Sequence, residues 1–328
     1  MAKNWNCDNR THEEWVALGR PNWQIGALYI VSATFFLIFY IPALWALAHS
    51  ELLKYSAYKF MFLLGVVDIF GLINAGYICG YSAIVGMIYC MAPTFNYIAG
   101  IWAFTCWTTS SSTCVLLALT RCIDMFDTSF GRSIFGGKKT FIWFIIPAFY
   151  MFWFIFIAGS CVFNSNIYAY SFDPFFGTPE RNGVMDVENY PHMSLALHNI
   201  SVSIILSSIY ALLCLVLGLQ TKGVTSVKLG KIQRNTLIQA ALICCTVLAA
   251  ALLYSYMNFF PVGPVFVIVA EMSWLCSHGV PGLLYIFFNA SIRRDVIDMF
   301  CKSTSVKPSA ATTTTNRGVT TTSSSDVY

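Results

Sequence analysis

This chain is expected to be an all-α membrane protein, a seven-transmembrane helix bundle with its N-terminus outside the cell. Three observations predict this architecture: seven long apolar stretches, few charged residues, and basic residues concentrated on one set of connecting loops. Only 10% of the residues are charged and 57% are hydrophobic, which is less charge than a soluble domain carries on its surface. Crossing a hydrocarbon core about 30 Å thick takes roughly 20 mainly apolar residues in a helix.

Each apolar stretch is long enough to cross a bilayer as a helix. Helices are expected because a segment in lipid must satisfy its own backbone polar groups, and the stretches are too long for barrel strands. The predicted spans are Gln24–Ala48, Phe60–Tyr81, Phe95–Leu119, Thr140–Phe163, Met193–Leu219, Leu237–Phe260 and Val262–Phe288. The bundle therefore occupies residues 24–288, after an extracellular N-terminus at residues 1–23.

The basic residues predict the orientation, because Lys and Arg prefer the cytoplasmic ends of spans. With the N-terminus outside, the inner loops and the C-terminal segment hold most of the 19 Lys and Arg residues. They are Lys54, Lys59, Arg121, Arg132, Lys138, Lys139, Lys222, Lys228, Lys231, Arg234, Arg293, Arg294, Lys302, Lys307 and Arg317. The net charge of +4 is thus the sum of a positive inner face and a mildly negative outer face, and it does not indicate a nucleic-acid partner.

The segments outside the spans carry further expectations. The longest connection, Asn164–His192, is predicted to be an outer loop without obvious structure that serves as a lid or binding segment. Residues 289–302 place apolar side chains at helical spacing between charges, which predicts a short amphipathic helix on the inner membrane surface. Residues 303–328 are rich in Ser and Thr and are expected to be a disordered cytoplasmic tail.

Two positions are candidates for covalent modification. Asn9 begins an Asn-Arg-Thr sequon on the predicted outer side and is a candidate for glycosylation. Cys301 follows the last span on the inner side and is a candidate for palmitoylation.

Most of the 12 cysteines fall in predicted spans, where Cys behaves as a small apolar residue. Cys90 lies just before the third span and Cys161 lies near the end of the fourth, so they are the candidate disulfide. Two other outcomes stay open, because geometry and not spacing decides which cysteines can join. In one alternative, the thiols of Cys90 and Cys161 are free and buried; in the other, Cys7 is the disulfide partner instead.

The chain shows no sign of an enzyme. Its five histidines form neither a His-Glu-x-x-His motif nor another tight metal cluster, and it has no Gly-x-Ser-x-Gly elbow or phosphate-binding glycine loop. We therefore expect no catalytic residue, no metal and no cofactor. No internal repeat of the transporter type stands out either.

The ionisable residues within spans are the first candidate site, since such groups are costly in lipid and usually face the bundle interior. At 1.5 Å per helical residue, Asp68 and His278 lie at matching depths near mid-membrane. We predict that they hydrogen-bond, directly or through water, between the second and seventh helices as a buried switch. The alternative is that each is satisfied locally by backbone or hydroxyl groups.

The outer half of the bundle holds the second candidate site. Glu271, Trp274 and His278 share one face of the seventh helix, and an acid beside an aromatic ring suits a cationic or hydrogen-bonding ligand. Thr105 and Thr109 belong to a hydroxyl-rich stretch of the third span. These hydroxyls predict close helix packing first and ligand contact second, because interhelical hydroxyl bonds are weak.

Three segments resemble G-protein-coupled receptors. Leu117-Ala118-Leu119-Thr120-Arg121 resembles the Asp/Asn-Arg-Tyr region, Leu64-Gly65-Val66-Val67-Asp68 resembles the second helix, and Pro281-Gly282-Leu283-Leu284-Tyr285 resembles the end of the seventh. The resemblance implies that Arg121 helps to lock the inactive state and contacts the G protein, together with Lys228, Lys231 and Arg234. It also places Tyr285 with Asp68 and His278 in the buried switch.

The order of further motifs resembles the nematode serpentine receptor class T family over about residues 6 to 300. They are Asn6-Cys7, Gly19-Arg20-Pro21-Asn22 with Gly26, Ser56-Ala57-Tyr58-Lys59-Phe60-Met61, Gln239-Ala240, and Trp274 with His278-Gly279-Val280-Pro281 and Tyr285. This resemblance implies a chemosensory receptor in the plasma membrane of sensory neurons or their cilia. Its partners would be a small chemical ligand, a heterotrimeric G protein and the lipid bilayer. A transporter or ligand-gated channel is the alternative.

Overall fold

The computed structural model describes residues 5–126, 128–157, 160–179, 193–221, 231–260 and 262–302 of the 328-residue chain. A short helix, α1 (His12–Leu18), begins at a capping box in which the Glu14 amide donates to the Thr11 hydroxyl. In return the Thr11 amide and then its hydroxyl donate to the Glu14 carboxylate, which holds the pKa of that group below its ordinary value. The cap positions Trp15, which is buried at the end of the bundle where the N-terminal segment lies. This end is called outer below, after the predicted orientation, and the opposite end is called inner.

The remaining helices form the bundle and its connections. In chain order they are α2 (Trp23–Ala48), α3 (Ser56–Leu72), α4 (Cys79–Val85), α5 (Pro93–Phe126), α6 (Thr128–Phe135), α7 (Thr140–Trp143), α8 (Ile145–Phe156), α9 (Met193–Thr221), α10 (Lys231–Phe259), α11 (Pro264–Phe288) and α12 (Ala290–Lys302). A π-helical turn, Ile73–Ile78, joins α3 to α4. Helix α3, this turn and α4 thus make one continuous span.

Six helical segments of the described residues are long and apolar enough to cross a membrane. Helix α5 is not among them, although it is 34 residues long and contains the third predicted span. Its hydroxyl-rich middle lowers its apolarity, and the run Cys106–Cys114 is buried. Helix α5 packs against α3, α8, α9 and α10, so its polar side chains face protein and not lipid.

Helix α8 shows the opposite pattern to α5. Most of its large side chains point outward, with Phe152 54% and Phe156 69% exposed, whereas Phe154 is buried. Such a surface is stable where lipid covers it. The fourth predicted span extends too far, however, because α8 ends at Phe156 and Val162 already pairs with Ser171 in a hairpin.

The hairpin consists of β1 (Val162–Asn164) and β2 (Ala169–Ser171). The prediction of an outer loop without obvious structure was therefore wrong for this part of the loop, while residues 180–192 lie outside the described residues. Cys161, Val162 and Phe163 are buried against neighbouring elements of the protein. Apolarity alone does not distinguish burial in protein from burial in lipid.

The disulfide differs from the candidate pair. Cys7 joins Cys90, with 5.6 Å between their Cα atoms, whereas Cys161 is free and buried. The reason is that the N-terminal segment folds back over the bundle: the Trp15 indole donates to the Cys7 carbonyl at 3.0 Å, and the Trp5 ring packs on Tyr89. The disulfide therefore ties this segment, and not the hairpin, to the start of α5.

The C-terminal helix α12 lies where the amphipathic helix was predicted. Ile292 and Val296 pack into the bundle core, while Ile297 and Phe300 are exposed, so one part of its apolar surface meets protein. Its position on a membrane surface stays a prediction. Asn9 and Cys301 are exposed, and their modification also stays a prediction; residues 303–328 lie outside the described residues.

Candidate functional site

The Asp68 carboxylate is the centre of a polar cluster inside the bundle. It accepts hydrogen bonds from the Tyr40 hydroxyl at 2.7 Å and the Ser110 hydroxyl at 2.9 Å. The His278 Nδ1 lies 2.8 Å from the same carboxylate. These four side chains, the polar cluster, come from α2, α3, α5 and α11 and are fully or almost fully buried. The predicted contact between Asp68 and His278 is thus confirmed.

Local backbone geometry makes room for this contact. A Cβ atom added at Gly71 would lie 2.7 Å from the His278 Cγ, so only glycine leaves space for the imidazole ring against α3. The side chain of Tyr285 closes the cluster from the inner side: its ring packs edge-on against Tyr40, with 5.7 Å between centroids. Its hydroxyl donates to the Met61 carbonyl at 2.8 Å.

The inner end of α5 carries Arg121, whose guanidinium lies 5.6 Å from the centroid of the Tyr58 ring. The Tyr58 hydroxyl accepts a hydrogen bond of 3.0 Å from the Asn289 amide. Within the described part of the chain, the Arg121 Nε and Nη2 are buried and have no hydrogen-bond partner. A cation–π contact therefore covers the arginine in this structure.

Two of the three basic residues predicted to accompany Arg121 lie at the start of α10. Lys231 and Arg234 belong to its first turn. Lys228 lies outside the described residues.

A small cavity opens in the outer half of the bundle, with about 330 Å³ of space, part of which is open to solvent. Its walls come from α5, α9, α10, α11 and the hairpin region. They consist of Ala103, Phe104, Trp107, Cys161, Tyr170, Leu195, Asn199, Tyr254 and Trp274.

Hydrogen bonds connect the cavity walls to one another and to the residues behind them. The Trp107 indole donates to the Asn199 side-chain oxygen at 2.8 Å. The Tyr254 hydroxyl donates to the Glu271 Oε2 at 2.7 Å, and the Tyr170 hydroxyl donates to the Asn74 side-chain oxygen at 2.8 Å. Asn74 lies in the π-helical turn, a feature that often marks functional positions.

The structure separates the four side chains proposed as ligand contacts. Trp274 lines the cavity. Glu271 is fully buried, is not part of the wall, and is hydrogen-bonded to the wall residue Tyr254. Thr105 and Thr109 are not part of the wall, because at 100° per residue they face away from Ala103 and Trp107. Their role as ligand contacts stays a prediction.

Sequence reasoning missed Asn199, Trp107, Tyr254 and Tyr170. A signal existed for Asn199, since a polar residue in the middle of an apolar span usually faces the bundle interior. No comparable signal marked the three aromatic residues, because aromatic side chains are common on every face of these helices.

Comparison with known proteins decides the family. The family model described as "Serpentine type 7TM GPCR chemoreceptor Srt" matches residues 1–308. The chain belongs to this family. It is 26% identical over 297 residues to "Serpentine receptor class T-55" of Caenorhabditis elegans, which covers 90% of this chain and 80% of that protein.

The fold of this Srt protein is that of the seven-helix receptors. It matches the crystal structure of squid rhodopsin with a TM-score of 0.62 over 90% of this chain and 87% of that chain. The sequence identity is 12%, so this likeness concerns the fold alone. The Srt protein is a multi-pass membrane protein of a receptor family, and this family is not one of enzymes.

Proposed function

We propose that the chain is a chemosensory receptor of the plasma membrane, in sensory cilia or elsewhere, with its N-terminus outside. It binds a small chemical in the outer cavity and activates a heterotrimeric G protein at the inner face. One observation carries this proposal: the cavity wall and the polar cluster meet within α11. Trp274 lines the cavity, and its ring packs against the ring of His278 with 5.7 Å between centroids.

This contact supplies a physical route between the two sites. A ligand can shift a conformational equilibrium only if it binds one conformation better than the other. A ligand that moves the Trp274 ring changes the space available to His278, and His278 is bound to Asp68 at 2.8 Å. Rearrangement of the polar cluster then alters how α3, α5 and α11 pack.

The inner face is the proposed G-protein site. Tyr58 covers Arg121 in the resting state, and activation exposes the guanidinium to the G protein. Lys228, Lys231 and Arg234 add positive charge before and within the first turn of α10. Positive charge near the inner surface favours an acidic partner, because complementary charge speeds association.

A reporter-cell screen with volatile and soluble chemicals tests the proposal. For any active compound, Arg121→Ala is expected to abolish the response while binding to the purified chain is kept. Glu271→Ala is expected to raise the half-maximal concentration about fivefold, since Tyr254 loses its acceptor, a hydrogen bond worth about 1 kcal/mol. Glu271→Gln keeps an acceptor oxygen and should change the response much less.

Trp153→Phe provides the control, because Trp153 lies on the outward face of α8 and is not part of the cavity wall. It should leave the response unchanged. A response that survives Arg121→Ala contradicts the assigned coupling site. A ligand-evoked current in cells without G-protein signalling would favour a channel or transporter instead.

A further inference from the structure

We infer that the outer cavity takes a small, uncharged molecule with a hydrogen-bond acceptor, such as a carbonyl, ester or ether oxygen. Trp274 and Asn199 would donate hydrogen bonds to this oxygen. The inference rests on the proposal that this cavity is the ligand site, and it names the chemical class of that ligand.

The unpaired polar atoms of the wall are both donors. Among the residues that the structure describes, the Trp274 Nε1 and the Asn199 Nδ2 are buried and have no hydrogen-bond partner. The indole N–H can only donate. The orientation of the Asn199 amide follows from its neighbour: because the Trp107 indole also can only donate, the atom it meets at 2.8 Å is the amide oxygen. The amide nitrogen therefore stays available.

The hydroxyl groups of the wall have already committed their hydrogens. Tyr170 donates to Asn74, and Tyr254 donates to Glu271. Both bonds lead out of the cavity to residues behind the wall. Two donors without partners are costly in a buried site, and an acceptor from a ligand satisfies them.

The described cavity wall provides no charged side chain to pair with a charged ligand. No lining residue in the described ranges is Asp, Glu, Lys or Arg. Glu271 lies behind Tyr254, so its carboxylate does not reach a molecule in the cavity directly. A charged amine would lose its hydration without gaining a counter-charge, which is strongly unfavourable. The structure thus favours a neutral ligand over the cationic one that the sequence alone allowed.

Shape and apolar surface limit the rest of the molecule. Phe104, Trp107, Tyr170 and Trp274 present aromatic rings, and Ala103 and Leu195 complete an apolar wall. The cavity is small and partly open to solvent, so the site suits a compact molecule with one polar atom and an apolar body.

The test compares three matched panels on the purified full-length chain in lipid nanodiscs, by ligand-observed NMR. The first panel contains compact neutral acceptors, namely ketones, esters and ethers such as cyclohexanone. The second contains hydrocarbons of the same shape, such as methylcyclohexane, and the third contains protonated amines, such as cyclohexylamine at neutral pH. We expect binding from the first panel and at least tenfold weaker binding from the other two.

Two substitutions then test the donors. Trp274→Phe keeps an aromatic ring but removes the N–H. It should lower the affinity for a ketone or ester about fivefold, which is the contribution of one neutral hydrogen bond. Asn199→Asp keeps the acceptor for Trp107 but replaces the amide nitrogen with an oxygen. It should therefore lower the affinity for ketones and raise the affinity for protonated amines. Trp153→Phe is the matched control and should change nothing, and the unfolding temperature of each variant confirms its fold.

The outcomes separate this inference from the proposed function. Hydrocarbons or amines that bind as tightly as ketones, an acceptor panel without any binder, or ketone binding unaffected by both substitutions would overturn the inference. Cell responses could still exist in each of those cases. Conversely, ketone binding with the expected losses, but without any G-protein response in cells, would support the ligand class and contradict the signalling role.

Discussion

The two buried carboxyl groups of the bundle, Asp68 and Glu271, have opposite surroundings. Asp68 meets three partners from three other helices, and both of its oxygens are used. Glu271 accepts one bond from Tyr254, and its Oε1 is buried without a hydrogen-bond partner in the described part of the chain. Both side chains are fully buried, so burial alone does not distinguish their roles.

The difference indicates what each half of the bundle can do. A carboxyl whose two oxygens both accept hydrogen bonds holds its helices in one arrangement, whereas a carboxyl with an unpaired oxygen leaves a bond for another group to make. Asp68 joins four helices in the middle of the bundle. In the outer half, Glu271, Trp274 and Asn199 each keep an unpaired atom near one cavity.

The largest effect is expected from Asp68→Ala. Removing the carboxylate leaves the Tyr40 and Ser110 hydroxyls and the His278 ring buried without a partner. This should lower the free energy of unfolding by about 3 kcal/mol or more. Thermal unfolding of the purified chain in detergent, followed with a thiol-reactive dye, measures this loss. Glu271→Gln is the comparison and should lower the free energy of unfolding by less than about 1 kcal/mol. Equal losses would show that the two carboxyls do not differ as proposed.

A second prediction concerns what holds the outer half together. The disulfide between Cys7 and Cys90 spans 83 residues of sequence, so Cys7→Ser should destabilise the chain by about 2 to 4 kcal/mol. Cys161→Ser is the matched control, since Cys161 is a free buried thiol, and it should have little effect. Peptide mapping under non-reducing conditions identifies the bond directly. Detection of a Cys90–Cys161 peptide would contradict the structure.

The smallest effect is expected at the inner end. Tyr58→Ala removes the ring that covers Arg121 and should raise ligand-independent signalling about fivefold, which corresponds to a cation–π contact of about 1 kcal/mol. Tyr58→Phe keeps the ring and loses only the acceptor of Asn289, so it should raise the signal less. Tyr55→Ala, at an exposed neighbouring ring, serves as the control. Basal signalling equal in all three variants would contradict the role of Tyr58.

The depth of the polar residues was predictable because helical rise is constant. Asp68 and His278 lie at the same level in two helices, and a carboxyl within a membrane span requires a partner. Their contact could therefore be predicted. The outer half was less predictable. Trp274 lines the cavity, as does Asn199 of α9, which sequence reasoning missed, but Thr105 is not part of the wall.

The amino-acid sequence alone determined the membrane character, the seven helices and the matching depths of Asp68 and His278, because hydropathy and helical rise are local properties. Only the tertiary structure decided that Cys90 joins Cys7, that Tyr58 covers Arg121, and that Tyr254 stands between Glu271 and the cavity. These facts depend on how distant helices rotate and converge, and a one-dimensional pattern carries no information on that rotation.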